Sequence, residues 1–195
     1  MDKTYSRTQR FTVMACLSAV AFLLMFIEFP LIPVASYLKL DFSDVPILIG
    51  TVIYGPWSGI IIAVVKCLLH GIARGMSPVE LLGLFANLCT SIAMILPVSW
   101  SFHHEKWSLK KRLVISGLLA TIIMTVVMTL FNYYVLTPAY MQMFNWHPSL
   151  PIKQLMLVGV VPFNLIKGIL VSLIFGIIVI HLQWWLKRQT AKNNQ

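Results

Sequence analysis

The sequence predicts an all-α integral membrane protein, a compact bundle of six transmembrane helices with both termini cytoplasmic. Three observations carry this reading. Of 195 residues, 58% are hydrophobic and only 11% charged, and mean hydropathy is +0.83, whereas a soluble domain carries about a quarter charged residues. The apolar residues run on without the period-2 alternation of a membrane β-barrel. The lysines and arginines gather at the ends of the apolar runs, as the positive-inside bias requires. That placement accounts for the net charge of +9 without nucleic acid, because no basic stripe alternates with exposed aromatics.

The first apolar run, residues 11 to about 28, follows the basic stretch MDKTYSRTQR. No small-x-small cleavage site precedes Glu28-Phe29-Pro30, so the run reads as a retained helix and not as a signal peptide. A loop containing Pro30 and Pro33 reaches Asp44. The second run is short, 45–54, and stops at Gly55-Pro56. The third covers about 57–73 and the fourth about 79–100. The polar loop SFHHEKWSLKKR separates the fourth from the fifth, about 113–136. A loop with Pro138, Pro148 and Pro151 then leads to the sixth, about 155–186. No repeat and no separate soluble domain is apparent, so residues 1–195 form one membrane domain, with 1–10 as an N-terminal arm and 187–195 as a tail.

The second run spans only ~15 Å at ~1.5 Å per residue, half of a ~30 Å hydrocarbon core. Charge decides whether it crosses. Lys3, Arg7 and Arg10 precede the first run, Lys106, Lys110, Lys111 and Arg112 lie between the fourth and fifth, and Lys187, Arg188 and Lys192 follow the sixth. Six crossings put all of these on the cytoplasmic side and Lys39, Arg74 and Lys153 outside; five crossings would put the tail outside.

With that topology the polar residues of the spans fall at the midplane or in the outer half. Asn164 and Lys167, one helical turn apart, lie roughly 12–20 Å below the outer end of the sixth helix. Asn132 is near the outer end of the fifth, and Asn87 about two turns into the fourth. Lys66, His70 and Arg74 share a face at i, i+4, i+8. Each charge inside a membrane costs ~2.5–3.5 kcal/mol on insertion scales and persists when it has partners. Interhelical pairs of Lys66 or Arg74 with Asp41 or Asp44 account for that stripe as well as a ligand does. Asn164 with Lys167 is different: the expected neighbours Asn87 and Asn132 are neutral, so the lysine needs an acceptor from elsewhere, such as a ligand carbonyl or ring nitrogen. On the first helix, Ala15-x-x-x-Ala19 allows close helix approach, either within the bundle or to a partner protein.

Enzyme chemistry finds little support. There is no GxxxxGK[ST] loop and no HExxH. Cys16, Cys67 and Cys89 all sit in apolar runs with no metal spacing. His103-His104 falls in a charged loop, and no serine or cysteine has a His/Asp set at matching depth. Neither catalytic residues nor a metal site is expected.

Three stretches carry a family resemblance: YLKLDFSDVPILIGTVIYGPWSGIIIAVVK at 37–66, FNYY at 131–134 and PFNLIKG at 162–168. Together they resemble the riboflavin-specific substrate-binding (S) component of energy-coupling-factor (ECF) vitamin transporters, and the likeness covers most of the chain. The resemblance implies six helices, riboflavin bound near the extracellular side, a lid formed by the loop at 29–44, and assembly with a membrane coupling subunit and two cytoplasmic ATPases. It implies ligand contacts from Leu40, Asp41 and Phe42 of the lid and from Asn132, Asn164 and Lys167, with Asp44, Lys66 and Asn87 as further candidates, and coupling-subunit contact through Ala15 and Ala19. Riboflavin is then cargo, with no cofactor. A flat apolar ring with a polar edge suits asparagine amides, which both donate and accept, and a lysine donor. The competing readings are an S component for another vitamin or flavin analogue, and an intramembrane enzyme or assembly factor. Phosphorylated flavins are expected to bind less well, since no phosphate-binding helix start is evident.

Overall fold

The computed structural model describes residues 7–144, 147–148 and 150–192, with 144 and 184–192 as backbone only. Lys3 and the side chains of Lys187, Arg188 and Lys192, on which part of the charge argument rests, lie outside the described side chains. The described elements are α1 (Arg7–Met25), β1 (Phe29–Pro30), β2 (Lys39–Leu40), α2 (Asp44–Tyr54), α3 (Pro56–Arg74), α4 (Pro78–His103), α5 (Leu109–Phe131), α6 (Thr137–Phe144), α7 (Ile152–Leu155) and α8 (Val161–Lys192). Among the described residues the architecture is all-α apart from one small antiparallel pair, in which Phe29 faces Leu40 and Pro30 faces Lys39.

Among the described residues, five stretches are long and apolar enough to cross a membrane: Arg7–Met25, Pro56–Arg74, Pro78–His103, Leu109–Met143 and Ile152–Gln183. Their outward faces are apolar too. Ile61, Leu68 and Ile72 of α3, Leu118, Ile122 and Val126 of α5, and Ile169, Leu173 and Ile177 of α8 are all exposed, at the three- and four-residue steps of one helix face. In water such faces would be costly; in lipid they are the solvent contact.

The short second run becomes α2, whose 11 residues cover only ~16 Å. Its first residue Asp44 and Val45, Pro46, Ile47, Leu48, Gly50 and Thr51 are all buried. It packs against α1, α3, α4 and α8 and so forms the middle of the bundle. Around it the core consists of Ile62 and Ala63 of α3, Met94, Ile95 and Val98 of α4, Ala120 and Met124 of α5, and Val171 and Phe175 of α8. Gly55 connects α2 to α3 at φ +89°, a backbone open to glycine at no steric cost, and Pro56 opens α3 where a missing N–H costs nothing.

α4 begins with Ser77-Pro78-Val79-Glu80, in which the Ser77 hydroxyl accepts from Glu80 N at 3.2 Å. This is a capping-box sequence with proline at the first helical position. α1 contributes only a narrow stripe, Met14, Ser18, Ala21 and Met25, leaving most of its circumference exposed.

One expected boundary is corrected. Pro138 does not begin the loop after the fifth run; it lies inside α6, which continues α5 through a π turn at Asn132–Leu136. A second π turn, Met156–Val160, joins α7 to α8 and is followed by Pro162. The two breaks match: Thr137 N donates to Asn132 O, Val161 N donates to Met156 O, and a proline comes next. A proline ring clashes with the carbonyl four residues back in a regular helix, and a preceding π turn widens the coil where that clash would fall. The helix therefore carries on past a residue that normally ends it.

Candidate ligand-binding site

α1, α3 and α5 end where α4 and α8 begin, at the end of the bundle that carries β1 and β2. There the chain encloses a cavity of about 270 Å³, close to the lower end of the ~300–1,000 Å³ usual for ligand pockets. Its wall takes Asp41 from the loop after β2, Asn87 from α4, Asn132 from the first π turn, and Asn164 and Lys167 from α8. Apolar and aromatic cover comes from Met25, Met128, Leu136 and Phe163, with Tyr37 and Tyr140, whose rings lie 5.6 Å apart.

Beneath the cavity lies a buried charge network. Lys167 Nζ stands 3.0 Å from Asp41 Oδ2 and 3.3 Å from Asp44 Oδ2. Lys66 Nζ donates to Asn87 Oδ1 at 2.6 Å and to Ser43 Oγ at 2.9 Å, with Asp44 Oδ1 3.9 Å away. Asn87 Nδ2 donates to Asp41 Oδ2 at 3.3 Å, and Ser91 Oγ donates to Asp44 Oδ1 at 2.5 Å. Asp41 Oδ1 accepts from both the backbone N–H and the hydroxyl of Ser43. Two ammonium groups and two carboxylates thus balance inside the bundle, as buried charges must. Burial alone would push the Asp41 carboxyl upward, but Lys167, Lys66 and the Ser43 bonds outweigh it and hold the group well below the ordinary carboxylate range.

This corrects the expectation that Lys167 lacks a carboxylate. The loop after β2 turns inward, so Asp41 and Asp44 are both buried, and a lysine 126 positions from Asp41 reaches it. The ammonium donates to Asp41 and has Asp44 beside it as a second counter-charge, which leaves donor capacity for the cavity.

The other predicted residues divide into wall and support. Asn132, Asn164 and Asn87 line the cavity with Asp41 and Lys167. Lys66, Asp44, Leu40 and Phe42 stand behind it: the first two close the charge network, Leu40 is buried in β2, and the Phe42 ring packs 6.5 Å from that of Phe29. Asn132 Nδ2 donates to Met128 O at 2.7 Å, and its Oδ1 accepts from Tyr37 at 3.3 Å. Burial raises the Tyr37 phenol above its ordinary value, so it is a donor at neutral pH. Asn164 Nδ2 donates to Val160 O at 2.8 Å, while its Oδ1 accepts nothing from the described residues. Gly168 fixes the depth of this stretch: a Cβ there would lie 2.8 Å from the Thr121 side chain and 3.0 Å from its Cα.

The stripe on α3 is a ladder of pairs, as the interhelical reading has it, with partners partly different from those expected. Lys66 meets Asp44, His70 Nδ1 lies 2.9 Å from Glu80 Oε1, and Arg74 Nη1 lies 2.9 Å from Glu28 Oε1. Tyr37, Tyr140, Phe163, Ser43 and Ser91 are members of the site that sequence reasoning did not single out. Tyr37 and Ser43 lie in the first of the resemblance stretches and Phe163 in the last; the other two carry no local signal.

A family model described as "ECF transporter, substrate-specific component" matches residues 9–179. This chain belongs to that family. The riboflavin transporter FmnP of Bacillus subtilis is 37% identical over 95% of this chain and 97% of its own. The riboflavin transporter RibU of Staphylococcus aureus is 39% identical, covering 93% and 94%. A solved structure described as the S component of a bacterial ECF transporter matches with a TM-score of 0.79 at 36% identity, over 93% of this chain and 99% of that one. The family is a transporter component and not an enzyme, and with five membrane-length apolar helices the chain is a multi-pass bacterial membrane protein.

Proposed function

We propose that this chain captures riboflavin on the extracellular side of the membrane and delivers it inward as the S component of an ECF vitamin transporter. The observation that carries the proposal is the composition of the cavity wall. Asn132, Asn164 and Lys167 converge on a space with aromatic and aliphatic cover, the chemistry of a flat ring with one polar edge. The Asn164 Oδ1 is free to accept a flavin N–H, and the spare donor capacity of Lys167 suits a carbonyl or ring nitrogen. The names of the relatives support the same ligand.

In this reading the segment 29–44 is the lid. Leu40 and Phe42 anchor it on either side of Asp41, which the lid carries inward to Lys167. α2 counts as the sixth crossing, shielded from lipid by its neighbours, and both ends of the chain face the cytoplasm. Ala15 and Ala19 are exposed, on the α1 surface that the bundle does not use, and there they receive the membrane coupling subunit. Two ATPase subunits supply the energy, and the whole component tilts in the bilayer to release its cargo.

Fluorescence titration of the purified protein with riboflavin tests the proposal. One equivalent of riboflavin with no competition from thiamine or biotin is expected. A preference for either competitor would overturn the ligand assignment.

A further inference from the structure

We propose that Glu28 sets the charge preference of the cavity mouth, so that a neutral flavin is accepted and one ending in a phosphate is discriminated against. The inference rests on the riboflavin reading and adds to it the residue that controls selectivity. Glu28 follows α1, and a single oxygen, Oε1, sits 2.6 Å from Lys39 Nζ on β2 and 2.9 Å from Arg74 Nη1 at the end of α3. All three side chains line the cavity. A lysine and an arginine converging on one point from separate elements make a good phosphate clamp. Here a carboxylate already occupies it.

The wall as a whole is charge-balanced. Lys39, Arg74 and Lys167 face Glu28, Asp41 and Glu80, with His70 against Glu80. An uncharged ligand preserves that balance. A phosphate monoester adds about −1.5 to −2, and the two cations at the mouth, Lys39 and Arg74, are already engaged by Glu28. It also has only one place to go. The deep end is committed to the buried Asp41 and Asp44, whereas at the mouth the Lys39 and Arg74 side chains are 43% and 34% exposed. A terminal phosphate therefore lies at the mouth, against Glu28.

The test is the ratio of dissociation constants for riboflavin and riboflavin 5′-phosphate. Wild-type protein is expected to favour riboflavin. Glu28→Gln should move the ratio toward the phosphate by roughly two- to fivefold, and the shift should shrink at high salt. Arg74→Gln, which leaves Glu28 paired with Lys39 alone and the wall one negative charge in excess, should move the ratio the other way, which keeps the test decisive if the first variant loses its fold. An unchanged ratio in either variant, with riboflavin still bound, overturns the role of Glu28 and leaves the riboflavin reading intact. Failure of wild-type protein to bind riboflavin would remove both.

Discussion

Removing the Lys167 ammonium is the perturbation with the most definite consequence. Its Nζ lies 3.0 Å and 3.3 Å from two carboxylates, and all three side chains are at most 5% exposed. Lys167→Met keeps much of the volume but leaves Asp41 and Asp44 facing Lys66 alone, one buried negative charge in excess. Breaking a buried ion pair by removing one partner costs about 3–5 kcal/mol. Asp41→Asn in the same chain removes the excess, because Lys66 and Asp44 remain as a neutral pair. The double variant should therefore recover at least about 1.5 kcal/mol relative to the sum of the single losses, within the range known for coupled neighbours. Unfolding in mixed micelles, without riboflavin, measures this independently of ligand. Losses that add to within about 0.5 kcal/mol would refute the idea that the four charges act as one unit.

Three further outcomes follow from the geometry. Asn164→Leu removes the unpaired acceptor and should weaken riboflavin by about 1–3 kcal/mol in a fluorescence titration, with little change in the ligand-free melting temperature. Asp41 titrates below its unfolded value of ~3.9, so its contribution to stability is complete above that pH and is lost as pH falls below it; melting curves should show no loss from this group between pH 8 and 5, and Asp41→Asn should flatten the decline on the acid side. Ala15→Leu with Ala19→Leu should leave riboflavin affinity unchanged and reduce co-purification with the coupling subunit, because both residues lie on the exposed side of α1.

The fold was legible where apolar length and punctuation sufficed. The cores of α1, α3, α4, α5 and α8 fall on the predicted runs, and Gly55-Pro56 marks the α2–α3 turn. Pro138 misled because a single proline ordinarily ends a helix, and the π turn that lets it pass has no residue signature of its own. The site was half legible. Helical spacing put Asn164 with Lys167, and Lys66 with His70 and Arg74, on common faces. Spacing says nothing about partners on other elements, so the carboxylates of Lys167 were missed. They come from a loop whose inward path is set by packing: Leu40 is buried beside Asp41, and α2 starts at Asp44 in the centre of the bundle. Asp41 and Asp44 look like mouth residues in the sequence and are floor residues in the fold.

The most direct test of the central claim is a structure of this protein crystallised with riboflavin. The account predicts the isoalloxazine in the cavity between the 29–44 segment and α8, its polar edge within hydrogen-bond distance of Asn164 Oδ1 and Lys167 Nζ, and the pairing of Lys167 with Asp41 retained. Density for the flavin elsewhere, or a bound flavin with both side chains turned away from it, would contradict the account.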